Sequence, residues 1–154
     1  MKIRTDYVTN SSSSSFIVGF KSEDNIEKQL YDSMMNYNSR YDTVLNDIKN
    51  ERNRLTKEQA LESFREEIEF DVEWAIERKY QRQFGFDWLE NSENKKKVKA
   101  EISEKIAKLC DEFKDKIEDY EFLAEVEYCD HTDGDLEHEI MPYLDCTLKR
   151  FSHH

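Results

Sequence analysis

Ser11-Ser12-Ser13-Ser14-Ser15-Phe16-Ile17-Val18-Gly19-Phe20 is the stretch on which the fold turns. Phe16, Val18 and Phe20 alternate with Ile17 and Gly19, the period of a half-buried strand, with the serines as its lead-in. Strand structure at the start of the chain is matched near its end. Phe122, Ala124, Val126 and Tyr128 alternate with Glu125 and Glu127, which predicts a strand with one wet face. Leu144, Cys146 and Leu148 alternate again and predict a third strand.

Between these ends the period is helical. Ser22 offers an N-cap to a short helix carrying Ile26, Leu30 and Met34, and Tyr41, Val44, Leu45 and Ile48 mark a second one. Two long amphipathic segments follow. Thr56 caps the first, whose stripe is Leu61, Phe64, Ile68, Val72, Ala75, Ile76 and Tyr80 until Gly85 stops it. The second starts near Ser92 and carries Val98, Ile102, Ile106, Leu109, Phe113, Ile117 and Tyr120. The short link over 84–91 predicts antiparallel packing of this pair. The expected architecture is a single α+β domain over residues 1–154. A small, partly antiparallel sheet, built from the N-terminal strand and two C-terminal strands, is covered by amphipathic helices that include the long antiparallel pair.

Of the 154 residues, 38% are charged and 37% hydrophobic, so each element has apolar residues for one face only. The net charge of −12 argues against direct binding of nucleic acid through a broad basic surface. Three cysteines, Cys110, Cys129 and Cys146, are an odd and scattered set that fits a reducing compartment. The longest apolar run, Phe16 to Phe20, is too short for a signal-peptide core or a membrane span. A soluble, cytoplasmic protein is expected.

Val8-Thr9-Asn10, the five serines and Phe16 resemble the N-terminus of a group of bacterial and phage proteins with a V-[TS]-N-S-S-S-S-S-F signature. The resemblance covers about the first twenty residues well and the rest loosely. It implies provenance and no chemistry, since no activity is established for the group. Read by themselves, the serines predict a loop whose hydroxyls satisfy nearby backbone. An anion cradle would want glycine, and the nearest one, Gly19, lies beyond the loop.

All four histidines (His131, His138, His153, His154) and two of the three cysteines fall in the last 26 residues, from Cys129 onward. Cys129, His131 and His138, with nearby aspartates, are therefore candidate ligands for zinc. Their spacing matches no common structural zinc motif. The aspartates around Gly134 do not form an EF-hand, because Cys129, His131 and Ile140 would occupy positions that need oxygen ligands. Glu137-His138-Glu139 lacks the second histidine of a zinc-protease helix, and no phosphate loop or nucleophile elbow is present.

Charge is the remaining signal. From Asp111 to Glu139 there are thirteen acidic side chains and two basic ones, so this segment carries −11 of the net −12. A stiff array of carboxylates can imitate a phosphate backbone and occupy a basic groove on a partner. The candidate binding residues are Asp111, Glu112, Asp115, Glu118, Asp119, Glu125, Glu127, Asp133, Asp135 and Glu137. Trp88, beside Phe86 in the helical link, is a candidate aromatic anchor. The expected function is that of a non-enzymatic acidic interaction protein, a phage- or mobile-element-borne inhibitor that binds a host protein, with a nucleic-acid-binding protein as the favoured class of partner. The alternative is a metal-binding protein or metal-dependent hydrolase built on Cys129, His131 and His138. A structural or assembly component is the third class.

Overall fold

The computed structural model describes residues 12–153. Expectations placed on residues 1–11 and on His154 lie outside them. The chain is α+β and divides into two compact units: a sheet unit of residues 1–60 and 117–154, and a helical unit, Leu61–Lys116.

In the sheet unit, strand β1 (Ser13–Phe20) lies between β3 (Phe122–Cys129) and β4 (Thr147–His153), and a two-residue strand β2 (Arg54–Leu55) borders β3. All of these pairings are antiparallel, and the sheet has four strands where three were expected. Two residues are too few to set a period, so β2 leaves no alternation to read. The last strand also begins later than predicted: Leu144 and Cys146 precede it.

Ser13, Ser14 and Ser15 are strand, not lead-in. Ser13 to Ser15 pair with Cys129 to Glu127 on one side and with His153 to Phe151 on the other. Ser14 and Ser15 are fully buried. Burying a hydroxyl is costly without a partner, and both hydroxyls have carboxylate partners contributed by the far end of the chain.

One face of the sheet carries the core. Phe16, Val18 and Phe20 of β1 lie beside Phe122, Ala124, Val126 and Tyr128 of β3. Helix α1 (Ile26–Ser33) adds Ile26 and Leu30, and α2 (Tyr41–Lys49) adds Val44 and Ile48. Each pair is four residues apart and so shares one helical face. Full burial of side chains of this size contributes about 1.5–3 kcal/mol each. Gly19, on the other face, has no room for a side chain: a Cβ there would lie 2.7 Å from Leu148 Cδ1 and 3.0 Å from Tyr120 Cδ1.

The capping chemistry of helix α3 (Lys57–Phe84) is reciprocal: the Gln59 amide donates to Thr56 Oγ1 at 3.1 Å, and the Thr56 amide donates to Gln59 Oε1 at 2.9 Å. Gly85, with φ of 77°, ends it in a conformation that other residues resist. Helix α4 (Ser92–Ile117) starts on Asn91, whose side chain accepts from the Glu93 amide at 2.9 Å. Within the helical unit the two run antiparallel, as predicted. Phe64 stacks on Phe113 at 4.2 Å, whereas Tyr80, sixteen residues further along α3, bonds Glu101, twelve residues earlier in α4.

Candidate functional site

A polar constellation lies at the serine end of the core face of the sheet unit. After β3 the chain forms a short helix, α5 (Asp130–Asp135), and a π-helical turn, Leu136–Ile140. Leu136 and Ile140 anchor that turn in the core cluster, so Glu137, between them, is carried inward as well. Its side chain is wholly buried, and Oε1 accepts from the Ser14 hydroxyl at 3.0 Å.

His138 sits at the mouth of the same site with its side chain 44% exposed. Its Nε2 is 3.1 Å from Asp130 Oδ1 and 3.3 Å from Glu137 Oε2. The second approach has an ion-pair distance without hydrogen-bond geometry, and Oε2 has no hydrogen-bond partner among the described residues. Arg150 closes the inner side. Its Nε donates to Ser14 Oγ at 3.3 Å, its Nη2 lies 3.4 Å from His138 Nδ1, and its guanidinium lies 5.9 Å from the centre of the Phe16 ring. For the neutral ring, a donor facing Nδ1 and carboxylates facing Nε2 match the tautomer that carries its proton on Nε2.

Asp130, Glu137 and His138 are, among the described residues, the group whose ligand atoms converge, all within 4.8 Å of one another. His138 belonged to the predicted metal set. Cys129 and His131 do not join it: Cys129 ends β3 half-buried, and His131 is exposed on α5. Burial pushes the Cys146 thiol up to about 12, which makes it a core side chain and a poor ligand.

The acidic candidates fall into separate environments. Asp111, Glu112 and Asp115 are exposed on α4 in the helical unit; Glu118 and Asp119 are exposed in the sheet unit. Asp133 and Asp135 are claimed by Arg40, at 2.8 and 3.1 Å. Glu127 is exposed and accepts from Ser15 at 3.0 Å. Glu125 is 2% exposed and Glu137 fully buried, so neither can present charge to a partner. The predicted wet face of β3 therefore holds at Glu127 and fails at Glu125. Trp88 is also corrected: it is buried against Tyr80 at 6.2 Å and Val98, while Phe86 beside it is 84% exposed.

Sequence reasoning missed Ser14, Arg150 and Asp130 as members of one cluster. A hydroxyl 123 residues from its acceptor leaves no local pattern. No described helix is long and apolar enough to cross a membrane. Compared with known protein families, with curated proteins and with solved structures, the chain matches none.

Proposed function

We propose that this chain is a non-enzymatic interaction protein that engages a basic surface on a protein partner through the carboxylates of Asp111, Glu112 and Asp115 on helix α4. One observation carries the reading. Asp111, Glu112 and Asp115 are all exposed on one helix, and none forms an ion pair among the described residues, in contrast to the Arg40-bound Asp133 and Asp135.

Like charges at Asp111 and Asp115, one helical turn apart, repel and cost α4 a few tenths of a kcal/mol, roughly the size of an exposed helix pair. Opposite charge on a partner relieves that repulsion. Carboxylates fixed to a helix steer such a partner and release the counterions that screen it. A protein whose own ligand is DNA or RNA has a groove of the required sign, and this is the class of partner proposed.

The test is affinity capture from host cells with the wild-type chain and with D111K/E112K/D115K. The wild-type chain retains a basic protein that competing duplex DNA or RNA displaces, and the reversed chain does not. Equal capture by both chains, or capture indifferent to nucleic acid, removes the proposal.

A further inference from the structure

The geometry points to a divalent-metal site formed by Asp130 Oδ1, Glu137 Oε2 and His138 Nε2, taking a first-row ion such as Zn²⁺. This goes beyond the interaction proposed above and does not depend on it. The spacing is the first support. Nitrogen and oxygen ligands about 2.0–2.2 Å from a zinc ion stand roughly 3.0–3.5 Å from one another along the edges of its coordination shell. The two distances from His138 Nε2, 3.1 and 3.3 Å, are edges of that size.

Burial supplies the independent support. Glu137 is fully buried, and Oε2 has no hydrogen-bond partner while it faces the other two ligand atoms. Its companion oxygen is already held by Ser14, which fixes the carboxylate in this orientation. A buried carboxylate oxygen left without a donor is expensive, and a cation at this point offsets that cost. Asp130 and His138 are half-exposed, which leaves an open approach and room for water to complete the shell. One imidazole and two carboxylates favour borderline ions over Mg²⁺ or Ca²⁺, which prefer all-oxygen shells.

Arg150 works against the ion. When Nε2 binds metal, the neutral ring carries its proton on Nδ1, facing the Arg150 Nη2 donor 3.4 Å away. Binding thus shifts the His138 tautomer and loosens the Arg150 contact.

The test is a Zn²⁺ titration by calorimetry on the full chain after chelator treatment. One ion per chain is expected. Loss of a mere outer partner of a metal site costs about 10–100-fold in affinity, so D130N, E137Q and H138A each weaken binding by at least about ten-fold. C129A, H131A and the H153A/H154A pair leave it unchanged, and R150M tightens it severalfold. Glu137 is buried and its substitution touches the core, so circular dichroism is recorded on each metal-free variant; H138A, at a half-exposed position, carries the test if E137Q does not fold. Absence of stoichiometric binding, binding that survives H138A, or binding lost in H153A/H154A overturns the site. An R150M chain that binds no more tightly overturns Nε2 as the ligand atom.

Discussion

Ser14 and Glu137, 123 residues apart, meet in the core of the sheet unit, where the serine hydroxyl donates to the buried carboxylate at 3.0 Å. Through this bond Ser14 fixes the turn that carries Glu137 to strand β1. Ser14 and Ser15 are therefore internal polar joints with different partners: Ser14 faces Glu137 and Arg150, and Ser15 faces Glu127 and His153.

Replacing Ser14 by alanine removes one donor from a buried carboxylate, and leaving such a group short of a partner costs about 1–3 kcal/mol. Ser13→Ala, at a half-buried position, changes stability by less than about 0.5 kcal/mol. Urea denaturation of the two variants measures the difference; equal effects would show that the Ser14 hydroxyl is not the joint.

The Tyr128 phenol donates to Asp47 Oδ2 at 2.8 Å, and burial first, then the Asp47 charge, holds its pKa far above the ordinary value. A raised folded-state pKa stabilises fully below the unfolded value of about 10 and loses that contribution as pH rises above it. At pH 8, Tyr128→Phe destabilises the protein by about 1.5–3 kcal/mol, the range for a hydrogen bond to a charged group. Between pH 10 and 11 the gap between the two chains narrows. Denaturation at both pH values checks the sign, and a widening gap refutes it.

Trp88 and Phe86 separate stability from surface. Truncating a buried aromatic to alanine costs about 3–5 kcal/mol, so Trp88→Ala loosens the helical unit. Phe86→Ser, at a side chain 84% exposed, stays within about 0.5 kcal/mol of wild type. Thermal unfolding of both variants gives the comparison.

Thiol reactivity follows exposure and thiolate availability. Cys129, half-buried, reacts first with an alkylating reagent at pH 8. Cys146, buried with its pKa pushed up to about 12, reacts only as the protein unfolds. Mass-spectrometric mapping of the alkylated sites orders them.

How much of this was legible beforehand depended on the range over which each feature is encoded. The helical unit was readable because Phe64, Ile68, Val72, Ile76 and Tyr80 repeat every four residues and Gly85 ends them, all within one segment. Strand β3 was readable from its alternation, but the same alternation marked Glu125 as wet. Its cross-strand neighbour is Ile17, and burial there depends on what packs on the sheet and not on the period of β3. The serines misled for a related reason. Turn propensity is local, whereas the carboxylates that make a serine strand affordable come from residues 127 and 137. His138 was found from the crowding of histidines; Asp130 and Glu137 were not, because in an acidic segment two more carboxylates carry no distinguishing mark.

The central functional claim is electrostatic, and it is tested most directly by the salt dependence of affinity for a partner captured by the wild-type chain. If Asp111, Glu112 and Asp115 make the contact, dissociation constants measured between 50 and 200 mM salt, roughly the range over which charge-driven binding weakens steeply, rise sharply for wild type. For D111K/E112K/D115K binding is lost, or its residual salt dependence is flat. Affinity that is insensitive to salt, or unchanged by the three reversals, contradicts the account.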